Sequence, residues 1–123
     1  MRYIIFLLVF LIQYLWDRIN SYCLTIKGEI LLILHHFISV YVFLGGILFN
    51  SKYHLIFIII ILIHWITNNR CYLTTITNKF CGYNKEKNFE DLIYKLNFRK
   101  INKNIHYYFL IILILYDIYY LIK

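Results

Sequence analysis

The sequence predicts an all-α fold: a small polytopic membrane protein built as a four-helix transmembrane bundle with a short amphipathic interfacial helix. Three observations predict it, namely four apolar runs in 123 residues, polar segments between them, and an uneven distribution of Lys and Arg. A helix needs about 20 apolar residues to cross a hydrocarbon core of about 30 Å. Apolar residues make up 62% of the chain, so we expect a single membrane domain over residues 1–123.

The first apolar run, Tyr3 to Trp16, predicts a helix over about 3–19. It is short for a span, and Arg2 is the only basic residue before it, so a cleaved secretory signal is the alternative. No small-x-small cleavage site follows the run. We therefore favour an uncleaved first helix.

The other three runs predict helices over about 30–49, 54–68 and 105–122. The uninterrupted runs Ile30 to Phe49 and Ile105 to Ile122 contain 20 and 18 residues, close to the length of a span. Only a few residues separate the second run from the third. These two helices are therefore expected to be antiparallel neighbours.

Basic residues fall mainly on one side of the membrane once the four helices alternate in direction. That side carries ten of the thirteen, namely Arg18, Lys27, Arg70, Lys79, Lys85, Lys87, Lys95, Arg99, Lys100 and Lys103. The other side carries Arg2, Lys52 and Lys123. The positive-inside rule places the ten in the cytoplasm, so both ends of the chain are expected on the exoplasmic or lumenal side.

An amphipathic helix is predicted over about 86–97 in the long basic segment. Apolar residues recur there at i, i+3, i+4 and i+7, namely Phe89, Leu92, Ile93 and Leu96. Its basic neighbours favour a position on the cytoplasmic leaflet. Packing across the ends of the spans is the alternative.

A candidate polar cluster lies towards the cytoplasmic side, where the predicted topology brings several helix ends to one depth. Its members are His35, His64, Cys71 and His106. Polar groups in spans usually face the interior of the bundle, so interhelical hydrogen bonding is the favoured role for these residues. A metal or haem site is the alternative, because imidazole and thiolate groups bind zinc and imidazole binds haem iron. No cofactor is expected, since the spacings match no ligand motif.

Two further groups of residues are singled out by their position in the spans. Ser39, Gly45 and Gly46 are small residues of the second helix, suited to close helix packing. His54 and Asp117 lie at comparable depth near the outer ends of the third and fourth spans, where the two can pair; the alternative is that Asp117 reaches the membrane interface. Asp117 is the only acidic residue within an apolar run.

The cysteines and threonines also carry expectations. Cys23, Cys71 and Cys81 all fall on the predicted cytoplasmic side, where thiols are expected to stay reduced. The threonines after the third run are expected to lie in a turn. They are Thr74, Thr75 and Thr77.

Part of the chain resembles an uncharacterised family of small bacterial integral membrane proteins. The family has a His, a Gly-Gly pair, a second His, a Trp and then a segment of the type Cys-Pro-Leu-Thr-x-Leu-Glu-Asn. The matching residues are His35, Gly45, Gly46, His54, Trp65, Cys71, Leu73, Thr74 and Asn78, while Tyr72 and Thr77 replace the Pro and Glu. The resemblance implies a compact four-helix membrane fold in which His35, His54 and Cys71 are the important positions. It implies no particular reaction.

The sequence favours a structural or accessory membrane protein over an enzyme. It contains no GxSxG, P-loop, GxGxxG or HExxH motif, and no nucleic-acid motif accompanies its basic residues, so nucleic acid is not an expected partner. The expected partners are the lipid bilayer and a membrane protein or a second copy of the chain. Two alternatives remain: a redox or metal-dependent protein using the His and Cys residues, and a viroporin-like oligomer conducting ions. The abundance of Ile, Phe, Tyr, Asn and Lys, without Ala or Pro, is typical of an AT-rich genome, such as that of a virus.

Overall fold

The computed structural model describes residues 1–20, 23, 25–68, 72–82 and 104–123. Within these ranges the fold is all-helical, as predicted, and comprises five helices. They are α1 (Arg2–Asn20), α2 (Ile26–Leu48), α3 (Ser51–Asn68), α4 (Tyr72–Cys81) and α5 (Ile105–Ile122). The predicted amphipathic helix over about 86–97 lies outside the described residues.

Three of the described helices are long and apolar enough to cross a membrane by length and composition: α2, α3 and α5. The sequence predicted four such helices, and the structure does not confirm α1 as the fourth. This helix carries Gln13, Asp17 and Arg18 within its 19 residues, and each of them lowers its hydropathy.

The N-terminal ends of α2 and α3 are determined by local capping. α2 begins four residues before its apolar run because the Thr25 side chain accepts a hydrogen bond of 3.0 Å from the Gly28 N–H, and Glu29 stands in the first turn. α3 begins earlier than expected because Asn50 Oδ1 accepts a bond of 2.9 Å from the Lys52 N–H. The connection between the two helices is therefore only Phe49 and Asn50, and they form an antiparallel hairpin.

α2 is the central helix, in contact with all four of the others. α1 packs against it in the opposite direction, with Tyr3 beside Phe49 at one end and Asp17 beside His36 towards the other. α5 runs opposite to α3, with His106 beside Trp65 and Asp117 beside His54.

α4 was not predicted. The threonines expected in a turn are part of this helix, because its buried face, which includes Thr74, Thr77 and Cys81, packs against α2. Thr74 lies beside His35 and Cys81 beside Gly28, so α4 runs opposite to α2 and in the same direction as α3. The helix ends at Gly82, whose φ of 71° is a left-handed conformation that glycine adopts at little cost.

The core is small, and the outer surface is apolar. Val42, Ile58 and Leu110, from α2, α3 and α5, form the buried hydrophobic cluster. Large apolar side chains on the outward faces of three helices are exposed, among them Leu8, Ile12, Ile56, Ile60, Ile63, Ile111, Ile112 and Leu115. Extended apolar surface of this kind is typical of contact with lipid or with another protein.

Candidate functional site

The pair His54 and Asp117 is a deeply buried polar group. His54 Nδ1 on α3 lies 2.6 Å from Asp117 Oδ2 on α5, and the two side chains are 1% and 0% exposed. The antiparallel arrangement of α3 and α5 brings the two residues to the same level. The structure thus places these two sequence-predicted residues in direct contact.

The other nitrogen of His54 contacts α2. Nε2 lies 2.9 Å from the Val42 carbonyl oxygen and 3.0 Å from that of Tyr41. Carbonyl oxygens only accept hydrogen bonds, so Nε2 must carry a proton and donate it. One imidazole ring therefore joins three helices.

These contacts also determine how many protons the pair holds. The contact between Nδ1 and Oδ2 requires a second proton, carried either by the ring, giving an imidazolium and a carboxylate, or by Asp117, giving two neutral groups. Both forms have no net charge. A neutral pair is the form in which a carboxyl group and an imidazole are least costly to bury together.

Gly45 and Gly46 make this arrangement sterically possible. A Cβ added at Gly46 would lie 2.2 Å from Asp117 Oδ1 and 2.7 Å from His54 Nδ1, and one added at Gly45 would lie 2.5 Å from His54 Cδ2. Both glycines are buried, so the neighbouring side chains have taken the space of the absent Cβ atoms. The third small residue predicted for packing, Ser39, is half-buried on α2.

The second carboxyl oxygen of Asp117 is the part of the site that can still accept a hydrogen bond. Oδ1 is buried, and no donor from the described residues forms a hydrogen bond with it. It faces the backbone at Gly46. It is therefore an acceptor available to a proton or to a small donor that enters the bundle.

A second buried His–Asp pair was not predicted. His36 Nε2 on α2 contacts Asp17 Oδ2 on α1, and the two side chains are 5% and 4% exposed. Nearby, Glu29 accepts a hydrogen bond from Tyr14 and forms an ion pair of 3.1 Å with Arg18. In the sequence, the opposite charges of Arg18 at the end of α1 and Glu29 at the start of α2 indicate that these ends could attract each other. The contact of Asp17 with His36 depends on the register of the two helices, which the sequence does not show.

Two residues of the predicted polar cluster, His35 and His64, contact the start of α4. His35 Nε2 lies 2.9 Å from Thr74 Oγ1, and His64 Nε2 accepts a hydrogen bond of 3.0 Å from the Tyr72 N–H. The His106 ring lies 5.2 Å from that of Trp65, and Cys71 is outside the described residues. Within the described ranges, no group of three His, Cys, Asp or Glu residues is arranged to hold a metal ion.

Two of the three cysteines that were expected to be reduced are bonded to each other in the structure. Cys23 and Cys81 form a disulfide across 58 residues of sequence. The expectation rested on the predicted compartment alone and did not include the packing of α4 against the start of α2, which brings the two sulfur atoms together. Their separation in sequence follows no recognisable motif.

No protein-family model, curated protein or solved structure matches this chain. The resemblance to small bacterial membrane proteins stays a prediction. The candidate site therefore stands on its geometry alone.

Proposed function

We propose that this chain is a multi-pass integral membrane protein of structural or accessory type, in which buried polar residues fix the arrangement of the helices. The observation that carries the proposal is the His54 ring, which uses both nitrogens to bind groups on α2 and α5. An interhelical bond of this kind stabilises a bundle whose helices gain little from the hydrophobic effect within lipid.

The proposal includes four spans. Support for α1 as the fourth comes from its packing along α2, from the ring contact of Tyr3 with Phe49 to the ion pair of Asp17 with His36. Near the end of α1, Asp17 contacts His36 and Arg18 pairs with Glu29, both on α2. The outward face of α1 remains apolar, with Leu8, Leu11 and Ile12 exposed.

The proposed topology follows the distribution of basic residues. Ten of the thirteen lie on the side of the connection from α1 to α2 and of the segment from α3 to α5. The positive-inside rule makes this side cytoplasmic and the two ends of the chain exoplasmic or lumenal. The partners are then the lipid bilayer and, on the apolar faces, another membrane protein or a second copy.

Two substitutions at Asp117 test the structural role. With Asp117→Asn, a His54 ring that donates from Nε2 to the α2 carbonyls can accept at Nδ1 from the new amide, so every hydrogen bond can be kept. Asp117→Ala removes the partner of Nδ1 and leaves a cavity. Unfolding of the two purified variants in mixed micelles measures the difference.

The structural role predicts that Asp117→Asn stays within about 1 kcal/mol of the wild type and that Asp117→Ala loses about 2–4 kcal/mol. Equal losses in the two variants contradict it. Loss in neither variant contradicts it as well.

Proton conduction by an oligomer is a second candidate, favoured by the buried Oδ1 of Asp117, to which no described residue donates a hydrogen bond. An ionisable residue within a span commonly marks a proton or ion pathway. Proton flux into liposomes containing the purified protein tests it. This candidate predicts that Asp117→Asn abolishes flux while preserving the fold, because the amide cannot take up a proton. Wild-type vesicles no more permeable than empty vesicles contradict it.

A further inference from the structure

The disulfide between Cys23 and Cys81 closes the cytoplasmic end of the proposed bundle. It joins the short connection before α2 to the last residue of α4. Both sulfur atoms lie against Gly28, where an added Cβ would be 2.4 Å from Cys23 Sγ and 2.7 Å from Cys81 Sγ. The glycine therefore lets the sulfur atoms approach the first turn of α2.

Non-covalent contacts hold the same two segments together. Thr25 Oγ1 donates a hydrogen bond of 2.5 Å to the Phe80 carbonyl oxygen, and Lys27 Nζ lies 4.4 Å from the centre of the Phe80 ring. At the other end of α4, Thr74 contacts His35. These contacts keep the two cysteines adjacent when the bond between them is broken, and nearby thiols re-form a disulfide readily.

Whether the bond is permanent or reversible depends on the compartment in which it lies. The ten basic residues place this end of the bundle in the cytoplasm, where thiols are kept reduced and disulfides are usually transient or redox-sensing. We propose that Cys23 and Cys81 form a reversible thiol–disulfide exchange site that clamps α4 to the start of α2, with disulfides and thiols of the glutathione or thioredoxin class as its reaction partners. The proposal rests on the topology given under the proposed function.

The two cysteines differ in burial and therefore in which of them reacts first with an external molecule. Cys23 is half-buried, whereas Cys81 is fully buried, so Cys23 is the one that an external molecule reaches. In oxidation, the Cys23 thiolate attacks a disulfide RSSR, forms a mixed disulfide and releases one RSH. The Cys81 thiolate then attacks the Cys23 sulfur and releases the second RSH. Two electrons pass from the cysteine pair to RSSR, and the two thiol protons end on the two RSH molecules.

The clamp acts on a weak element of the fold. An isolated helix as short as the ten residues of α4 is marginal in water, so its position depends on contacts with α2. The chain leaves α4 at Gly82 and continues into a segment that holds six of the thirteen basic residues. Oxidation therefore adds a covalent bond at the point from which this basic segment departs, and after reduction only the non-covalent contacts hold α4 there.

Alkylation of the full-length chain in its native membrane tests the proposal. The variant Cys71→Ser leaves Cys23 and Cys81 as the only cysteines. Cells are left untreated, oxidised with diamide, or oxidised and then returned to fresh medium. They are quenched with acid, and free thiols are counted by the gel shift of a polyethylene-glycol maleimide. Cys23→Ser and Cys81→Ser, each in the Cys71→Ser background, are the matched controls.

The proposal predicts two free thiols in untreated cells, their loss as an intramolecular bond after diamide, and their return in fresh medium. We expect the ratio of oxidised to reduced protein to rise by about tenfold or more with diamide, which corresponds to about 30 mV or more for a two-electron couple. Neither control forms the intramolecular species.

Three outcomes overturn the proposal. Two free thiols under all conditions show that the bond does not form, and dimers linked through Cys23 show that the partner is another chain. A bond that is present in untreated cells and resists reduction is a permanent staple of an oxidising compartment. That last result would also place this end of the bundle outside the cytoplasm, opposite to the proposed topology. The structural role of His54 is tested independently, by the unfolding of the two Asp117 variants in oxidised and in reduced protein.

Discussion

The two buried His–Asp pairs differ in what surrounds them. The pair His54 and Asp117 lies among α2, α3 and α5, and His54 also binds two backbone carbonyls of α2. The pair Asp17 and His36 lies between α1 and α2 in a region that also contains the ion pair of Arg18 with Glu29. The first pair thus joins three helices through one ring, whereas the second is one of several polar contacts joining two helices.

This difference predicts how much stability the protein loses when a residue of each pair is substituted. Removing one residue of the first pair leaves the other buried without its partner, and no other described side chain forms a hydrogen bond or an ion pair with either. At the second pair, the contacts of Glu29 with Arg18 and Tyr14 continue to hold α1 to α2. We expect the cost of a substitution to be larger at the first pair.

The largest effect is expected for His54→Ala. This substitution removes the bonds to α2 and to Asp117 and leaves a buried carboxyl group without a partner, which costs about 3–5 kcal/mol. Lys52→Ala, in the same turn of α3 but exposed, is the matched control and should change stability little. Unfolding of both variants in mixed micelles gives the comparison. Similar stabilities for the two variants would mean that the pair does not hold the helices.

A smaller loss is expected for Gly46→Ala. Its Cβ would approach Asp117 Oδ1, and overpacking of this kind costs about 1–3 kcal/mol even though alanine favours a helix. The same substitution made together with Asp117→Ala should cost less, because the carboxylate oxygen is gone. Ile47→Ala, at the adjacent exposed position, is the control for the helix itself. An unchanged penalty in the double variant would place the clash elsewhere.

A loss of about 1–2 kcal/mol is expected for Asp17→Ala, below that of His54→Ala, because α1 keeps its other polar contacts with α2. Adding Glu29→Gln to the Asp17→Ala variant should then lower the unfolding free energy by more than Glu29→Gln lowers that of the wild type. The measurement is again unfolding in mixed micelles. Equal or greater loss from Asp17→Ala than from His54→Ala would reverse the ranking of the two pairs.

The smallest effect concerns the contact between α4 and α2. Thr74→Val keeps the shape of the side chain and removes its hydrogen bond to His35, which costs about 1 kcal/mol. Thr75→Val changes the neighbouring residue, which is exposed on the same helix, and should cost close to nothing. Indistinguishable stabilities for the two variants would mean that the Thr74 bond does not help to hold α4.

Features that depend on long apolar runs could be predicted from the sequence. α5 occupies residues 105–122 as expected, because its run is apolar apart from His106 and Asp117 and polar residues bound it. The proximity of His54 to Asp117 follows from helix order, since residues at equal depth on antiparallel helices can meet. A one-turn change in the register of α3 against α5 would have separated them, and the structure places them 2.6 Å apart.

Features that depend on tertiary contacts could not be predicted. α4 is rich in threonine, which has low helix propensity, and it is stabilised by packing against α2. The bond between Cys23 and Cys81 depends on the same packing. The bonds of His54 to the carbonyls of α2 involve the backbone, which no side-chain pattern reveals.

A double-mutant cycle on His54 and Asp117 tests the account most directly. Unfolding free energies are measured in mixed micelles for His54→Ala, Asp117→Ala and the double variant. The account predicts that the double variant is more stable than the sum of the single losses implies, with a coupling energy of about 1–3 kcal/mol, because either substitution alone already breaks the contact. Losses that add to within about 0.5 kcal/mol would contradict the claim that this pair holds the helices together.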